Sequence, residues 1–493
     1  MPSSVTYSEC NPLIGHNLSL ECDGTTAVCG MVQDYWTWAS PRIYPLGSPA
    51  TTPGSITTIT LVVFGADTAL TLEVDEAYTL SVTKGAVTMT AQSVYAAMRG
   101  IETLIQMTTP EAPSTYSIQC GQVTDAPRFP WRGLMVDTAR HFLSISAMKR
   151  QIDAVAIAKM NVLHVHLVDA QSTPLLYPNA ADLAKGAYSN AGTQYVHDVP
   201  SLQGLVAYGK ARGVRVVPEY DTPGHAAAWG EGYPGITVQC PSYTHNINNI
   251  PFDPTMDETY TVLQSVLSDS RTIFTDDYIH MGGDEVVTGC WNEMPEIQAW
   301  MAAHDISDVH GLWRYFTQTL NTVMPEGVTQ VVWQETFQNG NPIPLDTIVQ
   351  SWEDQATLGD IVKAGYRGLL SGGWYLDKQI PGYPTHYLFA DTWQNFYSNE
   401  PTAGLDLDEH EEALILGGEV PMWGEAIDAA NIDSWIWPRA AAVAERLWSQ
   451  KEVSDIDVAI PRLADFRCQL VMAGVRSGPV HPDHPCPGEE MYW

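Results

Sequence analysis

The sequence predicts an α/β protein: a (β/α)8 TIM barrel preceded by a small α+β domain. Three observations lead there. Eight short apolar runs alternate with helical segments between residues 133 and 423; the residues before them carry a β-rich pattern of a different kind; and a proline-bearing stretch, DAPRFPWRG (125–133), lies between the two. The expected division is therefore 1–125 for the small domain and 126–493 for the barrel. A chain of 493 residues has room for both, since a barrel uses about 250 residues or more.

In the first domain, ITTITLVVF (56–64), LTLEV (70–74) and YTLSVT (78–83) are alternating or rich in β-branched residues and read as strands. SVYAAMRGIETLIQM (93–107) has helical spacing, and STYSIQC (114–120) reads as a further strand. The barrel strands are expected at GLMVD (133–137), NVLHVHL (161–167), VRVVP (214–218), DYIHM (277–281), VTQVVW (328–333), DTIVQSW (346–352), YRGLLSG (366–372) and ALILGGEVPMW (413–423). Helical patterns such as SAMKRQIDAVAIAKM, VPSLQGLVAYGKARG and SWIWPRAAAVAERLW lie between or after them. An open doubly wound sheet is the alternative, but no glycine-rich phosphate loop follows the first run.

Charge narrows the partners. With 24 Lys+Arg against 57 Asp+Glu the formal charge is −33, which argues against nucleic acid. No run of about 18 apolar residues is present to span a membrane, and MPSSVTYSEC at the start lacks the apolar core of a signal peptide. Eight dispersed cysteines with no zinc-like pairs favour disulfides and an oxidising compartment, lysosomal or secreted. Unpaired buried thiols are the plainer alternative. One glycosylation sequon, Asn17-Leu-Ser, agrees with secretion.

A barrel gathers its site at the carboxyl ends of its strands. There the chain places Asp137 and Arg140; His166 and Asp169; Glu219, Asp221 and His225; Asp284 and Glu285; Trp333 and Glu335; Trp352; Trp374, Tyr375 and Asp377; and Trp423 and Glu425. Carboxylates hydrogen-bond hydroxyls and move protons, and Trp faces stack on sugar rings, so the set points to a carbohydrate site. Each residue also has a plainer role. A lone Trp packs a core, His164 is a satisfied core residue, and Glu219 and Asp221 cap the turn TPGH. His166, Asp169 and His225 could ligate a metal, but the His-Glu-x-x-His helix of zinc proteases is absent. No metal or cofactor is expected. The recurrence of acids and Trp at every strand end carries the carbohydrate reading.

These motifs resemble glycoside hydrolase family 20, the β-N-acetylhexosaminidases. The resemblance rests on RGLMVDTARHFL, NVLHVHLVD, GVRVVPEYDTPGHAAAWG, HMGGDEV, VVWQETF, WYLD, MWGEAID and WPRAAAVAERLW, in that order across residues 130–450. It implies exo-hydrolysis of terminal β-linked N-acetylglucosamine or N-acetylgalactosamine, with the substrate's own acetamido oxygen as nucleophile. It makes Glu285 the general acid and base, Asp284 the residue holding the acetamido group, and Asp169 with His225 a relay behind the acid. Neighbouring residues on an extended segment would point the two acids apart, and repulsion with partial burial would suit Glu285 to acid work. It gives Arg140 and Glu425 the sugar hydroxyls at positions 3 and 4, and Asp377 those at 4 and 6. Trp333, Trp352 and Trp423 become pocket walls, and Tyr375 donates to the acetamido oxygen. The partner is then a glycan, with a homodimer left open as the assembly. A silent sugar-binding protein and a chitin-fragment or disaccharide hydrolase are the alternatives.

The resemblance also implies the disulfides Cys240–Cys290 and Cys468–Cys486. The other four cysteines pair among themselves. Cys22–Cys29 is preferred as the short loop, leaving Cys10–Cys120, although their pairing stays open on sequence. Two departures stand out. LVDAQSTPLL has Ala170 where many members carry a second aspartate, with no aromatic until Tyr177. Lys378 follows Asp377 and would put a cation at the rim, where acidic sugars could bind.

Overall fold

The computed structural model describes residues 1–49, 52–243, 250–378 and 392–487, with the side chain of Asn17 left out of the description. The first sheet has six strands in the order Ser4–Tyr7, Gly121–Asp125, Tyr78–Val82, Val87–Ala91, Ile56–Val63 and Ile14–Asp23. Helices Thr26–Ala39 and Val94–Gln106 cover it, started by the caps Thr25 and Ser93, whose hydroxyls accept from Val28 and Ala96. Both 56–64 and 78–83 form strands as expected. LTLEV does not: residues 70–74 are a turn, and Leu72 is buried among Trp131, Val162, Val217 and Tyr278 at the amino end of the barrel. The same apolar residues that suggest a strand here close the barrel floor instead.

Eight parallel strands form the closed barrel: β1 Trp131–Asp137, β2 Val162–Val168, β3 Arg215–Tyr220, β4 Tyr278–His280, β5 Thr329–Trp333, β6 Ile348–Ser351, β7 Arg367–Leu370 and β8 Ile415–Met422. All eight expected runs are strands. The barrel is closed by pairing of β8 with β1, Gly417 opposite Trp131. SWIWPRAAAVAERLW is two helices, Ile432–Ile436 and Arg439–Trp448, because Pro438 lacks the amide that a continuous helix needs.

Buried ion pairs join the two units. Arg99 and Arg132, one from each, share Glu76 at 2.7 and 2.6 Å. All four disulfides are present: Cys10–Cys120, Cys22–Cys29, Cys240–Cys290 and Cys468–Cys486. Among the described residues no helix is long and apolar enough to cross a membrane.

Candidate active site

The carboxyl ends of β2, β3 and β4 sit side by side, with His166 opposite Glu219 and Glu219 opposite His280. The pairing of β2 with β3 shifts register between His166 and Val168, just before Asp169. Its carboxylate accepts from His166 Nε2 at 2.7 Å and lies 3.1 Å from His225 Nδ1. Arg140 Nη2 approaches it at 2.9 Å. Burial opposes the Asp169 charge, yet His225, Arg140 and His166 outweigh burial and hold the carboxyl far below its usual range.

The loop after β4 carries the two neighbouring acids. It is not extended, as alternation along a strand would require. β4 ends at His280, and Gly282, Gly283 and Glu285 all have positive φ, 67°, 106° and 48°. The kink depends on glycine: a Cβ on Gly282 would come 1.8 Å from Asp221 Oδ1, and one on Gly283 2.1 Å from Thr336 Oγ1. Amide bonds fix it, Gly282 N–H donating to His280 Nδ1 and Gly283 N–H to Asp221 Oδ1, both at 3.0 Å. Thus Asp221 holds the acid loop rather than capping TPGH. The turn itself packs on that loop, Gly224 leaving 3.1 Å between its would-be Cβ and Asp284 O.

The kink gives the two acids different surroundings. The Asp284 side chain is 12% exposed, while that of Glu285 is 52% exposed, more open than a partly buried acid. His225 Nε2 lies between them, 3.6 Å from Asp284 Oδ2 and 3.7 Å from Glu285 Oε2, a reach slightly beyond a hydrogen bond. Burial, then the charges of Asp284, Glu219 and Asp169, push Asp221 well above the usual carboxyl range. Asp221 is therefore drawn toward its neutral form beside Asp284.

Arg140 is anchored by Asp137 at 3.2 Å, lies 4.8 Å over the Trp423 ring, and donates to Gln171. Burial works against its charge, but Asp137, Asp169 and Glu425 together keep it firmly protonated. Asp137 also accepts from Gly424 N–H at 2.9 Å, tying the loops after β1 and β8. Trp333 is the most buried of the three wall tryptophans, 1% exposed, its indole N–H donating to Glu219 at 2.9 Å. Trp423 lies 6.2 Å from it, and Trp352 6.3 Å from Tyr375. Burial and then Asp284 raise the Tyr375 phenol well above its normal value, so the hydroxyl stays a donor. Asp377 is half-buried and Glu425 exposed. Lys378 lies 4.4 Å over the Tyr375 ring.

One sequence expectation takes another place. Trp374 is fully buried, donating to Phe396 O, and belongs to the core. Tyr177 is likewise buried, its hydroxyl 2.7 Å from that of Tyr220, so it supplies no rim aromatic. Three residues gain weight. Glu335 accepts from Trp352 Nε1 at 3.0 Å, and burial followed by repulsion from Asp284 raises it to about 8. Glu219 and His164, read as turn cap and core filler, form the hub beneath the pocket. Nothing in their spacing marks them, since only closure of the barrel brings β2, β3 and β8 together.

Among the described residues, three His and acid groupings have ligand atoms within 4.8 Å: His164–Glu219–His280, His166–Asp169–Asp221 and Asp221–His225–Asp284. In the first two, the carboxylates hold His164 and His166 protonated despite burial. A protonated imidazole has no lone pair for a metal.

Residues 129–451 match the family model described as Glycosyl hydrolase family 20, catalytic domain, and residues 28–107 match one described as beta-acetyl hexosaminidase like. Beta-hexosaminidase subunit A1 of Dictyostelium discoideum is 41% identical over 434 residues, 88% of this chain and 80% of that protein. The human beta-hexosaminidase subunit beta is 35% identical over 428 residues, 85% of this chain and 74% of its own. Among solved structures, the chitobiase of Flavobacterium johnsoniae superposes with a TM-score of 0.83 at 29% identity, over 96% of this chain and 72% of that one.

Proposed function

The chain belongs to glycosyl hydrolase family 20, and from that premise we propose that it is an exo-β-N-acetylhexosaminidase working by a retaining, substrate-assisted route. The observation that carries the mechanism is the unequal setting of the adjacent acids, Asp284 buried and Glu285 open, with His225 Nε2 within 3.7 Å of both. The enzyme class itself follows from the family match and from relatives named beta-hexosaminidase.

In the first step the substrate's acetamido oxygen attacks the anomeric carbon. The glycosidic bond breaks, and Glu285 gives its proton to the departing oxygen. Asp284 faces the acetamido N–H and balances the positive charge of the oxazolinium intermediate. Water then attacks the anomeric carbon, Glu285 takes its proton, and the ring of the intermediate opens to the sugar with retained configuration. Tyr375 donates to the acetamido oxygen. Arg140 and Glu425 hold the hydroxyls at positions 3 and 4, and Asp377 those at 4 and 6. Trp333, Trp352 and Trp423 enclose the ring and acetamido methyl. Asp169 and His225 orient the acid.

We take residues 1–125 as the small domain and 126–493 as the catalytic barrel. The substrate is a glycan ending in N-acetylglucosamine or N-acetylgalactosamine. Four disulfides and a formal charge of −33 fit a lysosomal or secreted setting. The test is hydrolysis of aryl N-acetyl-β-glucosaminide and N-acetyl-β-galactosaminide beside a plain aryl β-glucoside. Cleavage of the acetamido sugars alone supports the reading; equal cleavage of the glucoside ends it.

A further inference from the structure

Barrel interiors are ordinarily filled by Val, Ile and Leu, yet beneath this pocket lies a layer of charge. Glu219 on β3 is 0% exposed. Its carboxylate meets groups from three other strands: His166 Nδ1 at 2.7 Å and His164 Nε2 at 3.0 Å from β2, His280 Nδ1 at 3.2 Å from β4, and the Trp333 indole N–H at 2.9 Å from β5. From β8, Glu419 acts on it through His164, 2.8 Å from Nδ1. Burying a carboxylate is costly, and packed hydrophobic residues do as well where only stability is required. The partners say what the charge is for. Trp333 is the most buried of the pocket tryptophans. His166 passes contact to Asp169 and so to His225. His280 Nδ1 accepts from Gly282 N–H at the root of the acid loop, so it packs against Glu219 without a hydrogen bond to it.

Resting on the reading above, we propose that Glu219 is a positioning residue for catalysis: one carboxylate that sets the pocket's Trp333, the Asp169–His225 relay and the Asp284–Glu285 loop in a common register. It also fixes the state of His166. A doubly protonated His166 donates to Glu219 on one side and Asp169 on the other, and both bonds exist only while it is charged. The charged or titratable groups around His166 are Glu219 from β3; His164 of β2, which meets the same Glu219 oxygen; Asp169 and Asp221 from the following loops; and, beyond Asp169, His225 and Arg140. The Trp423 ring closes the remaining side at 4.9 Å.

The test uses the full chain with Glu219→Gln, which keeps the shape and removes the charge. The expected kcat/KM on the N-acetylglucosaminide falls about ten- to hundredfold, and the alkaline limb of its pH profile moves to lower pH, because His166 loses the partner that keeps it protonated. Glu419→Gln is the comparison. It removes an equally buried charge bonded to Trp131, His164 and Gln350 and should lose stability without moving the limb. An unmoved limb in Glu219→Gln, with activity tracking only the folded fraction, overturns the proposal; so does an equal shift in both variants. Should neither variant fold, 15N-histidine spectra of the native enzyme decide: doubly protonated His166 from about pH 5 to 8 supports the proposal and neutral His166 refutes it. A native enzyme that cleaves the glucoside equally well would sink the substrate-assisted reading instead, and leaves that spectrum unaffected.

Discussion

His225 and Glu285 belong to different strand-end loops, yet both adopt left-handed backbone, φ 56° and 48°, and the imidazole of one comes within 3.7 Å of the carboxylate of the other. Such a conformation costs a non-glycine residue about 1 kcal/mol or more, and two of them meeting at one point place strain where the acid must be aimed. Glu285→Gly should therefore raise thermal stability slightly while removing hydrolysis. Differential scanning calorimetry alongside an activity assay checks both halves; a variant that is less stable as well as inactive contradicts the strain.

Glu285→Gln keeps the side-chain shape and removes the proton. Turnover of substrates with poor leaving groups should be nearly abolished, whereas dinitrophenyl-type leaving groups, which need little protonation, should lose far less. Equal losses across a series of phenols of rising pKa would show that Glu285 is not the acid.

Stability should peak on the acidic side of neutral. Glu219, Glu419 and Asp169 have folded pKa values below their unfolded ones because of the histidines and Arg140 around them, despite burial. Their contribution is present above about pH 4 and is lost on acidification. His164, raised to about 9 by Glu419 and Glu219 against burial, contributes fully below about pH 6.5 and loses that contribution as pH rises through 9. Glu335, raised to about 8 by burial and Asp284, also weakens the fold as pH rises from about 4 to 8. The melting temperature should be highest between about pH 4.5 and 6.5; a maximum above pH 8 would contradict these signs.

The barrel was legible because each β run is short and apolar and each is followed by a helical period, so local pattern and global closure agree. The acids and tryptophans just past those runs were legible for the same reason. What sequence could not give was depth. LTLEV has strand chemistry, yet Leu72 closes the barrel floor. Trp374 and Tyr177 have the chemistry of a sugar platform but point into the core. Glu219 looks like a turn cap until pairing of β3 with β2 and β4 sets it among three histidines. Alternation predicts that Asp284 and Glu285 point apart on an extended segment; here they differ in exposure, on a loop kinked by positive φ at Gly282, Gly283 and Glu285, which no periodicity announces.

Hydrolysis should not need a metal. The nearest cation-like grouping to the acids, Asp221–His225–Asp284, contains a carboxyl drawn toward its neutral form and an imidazole drawn toward protonation by Asp169 and Asp284 against its burial. Both states are poor ligands. Activity should survive exhaustive dialysis against EDTA, and loss that zinc or another divalent ion restores would contradict this.

The mechanism is tested most directly at Asp284. If the acetamido oxygen is the nucleophile, no carboxylate of the enzyme is ever glycosylated, and Asp284 matters through the group it holds and the cation it balances. Asp284→Asn keeps the size and deletes the charge of a side chain only 12% exposed, where charge acts strongly. Turnover should fall about a hundredfold or more, the scale for removing one well-placed electrostatic stabiliser. A thiazoline mimic of the cyclised sugar should inhibit the native enzyme far more tightly than free N-acetylglucosamine, because it resembles the intermediate. It should lose most of that advantage against Asp284→Asn, since the variant has no charge to offer it. A plain glucoside should be nearly inert with either. Mass spectrometry of the enzyme with a fluorosugar completes the test: a covalent adduct on Asp284 or Glu285 would replace the substrate-assisted route with a two-carboxylate one.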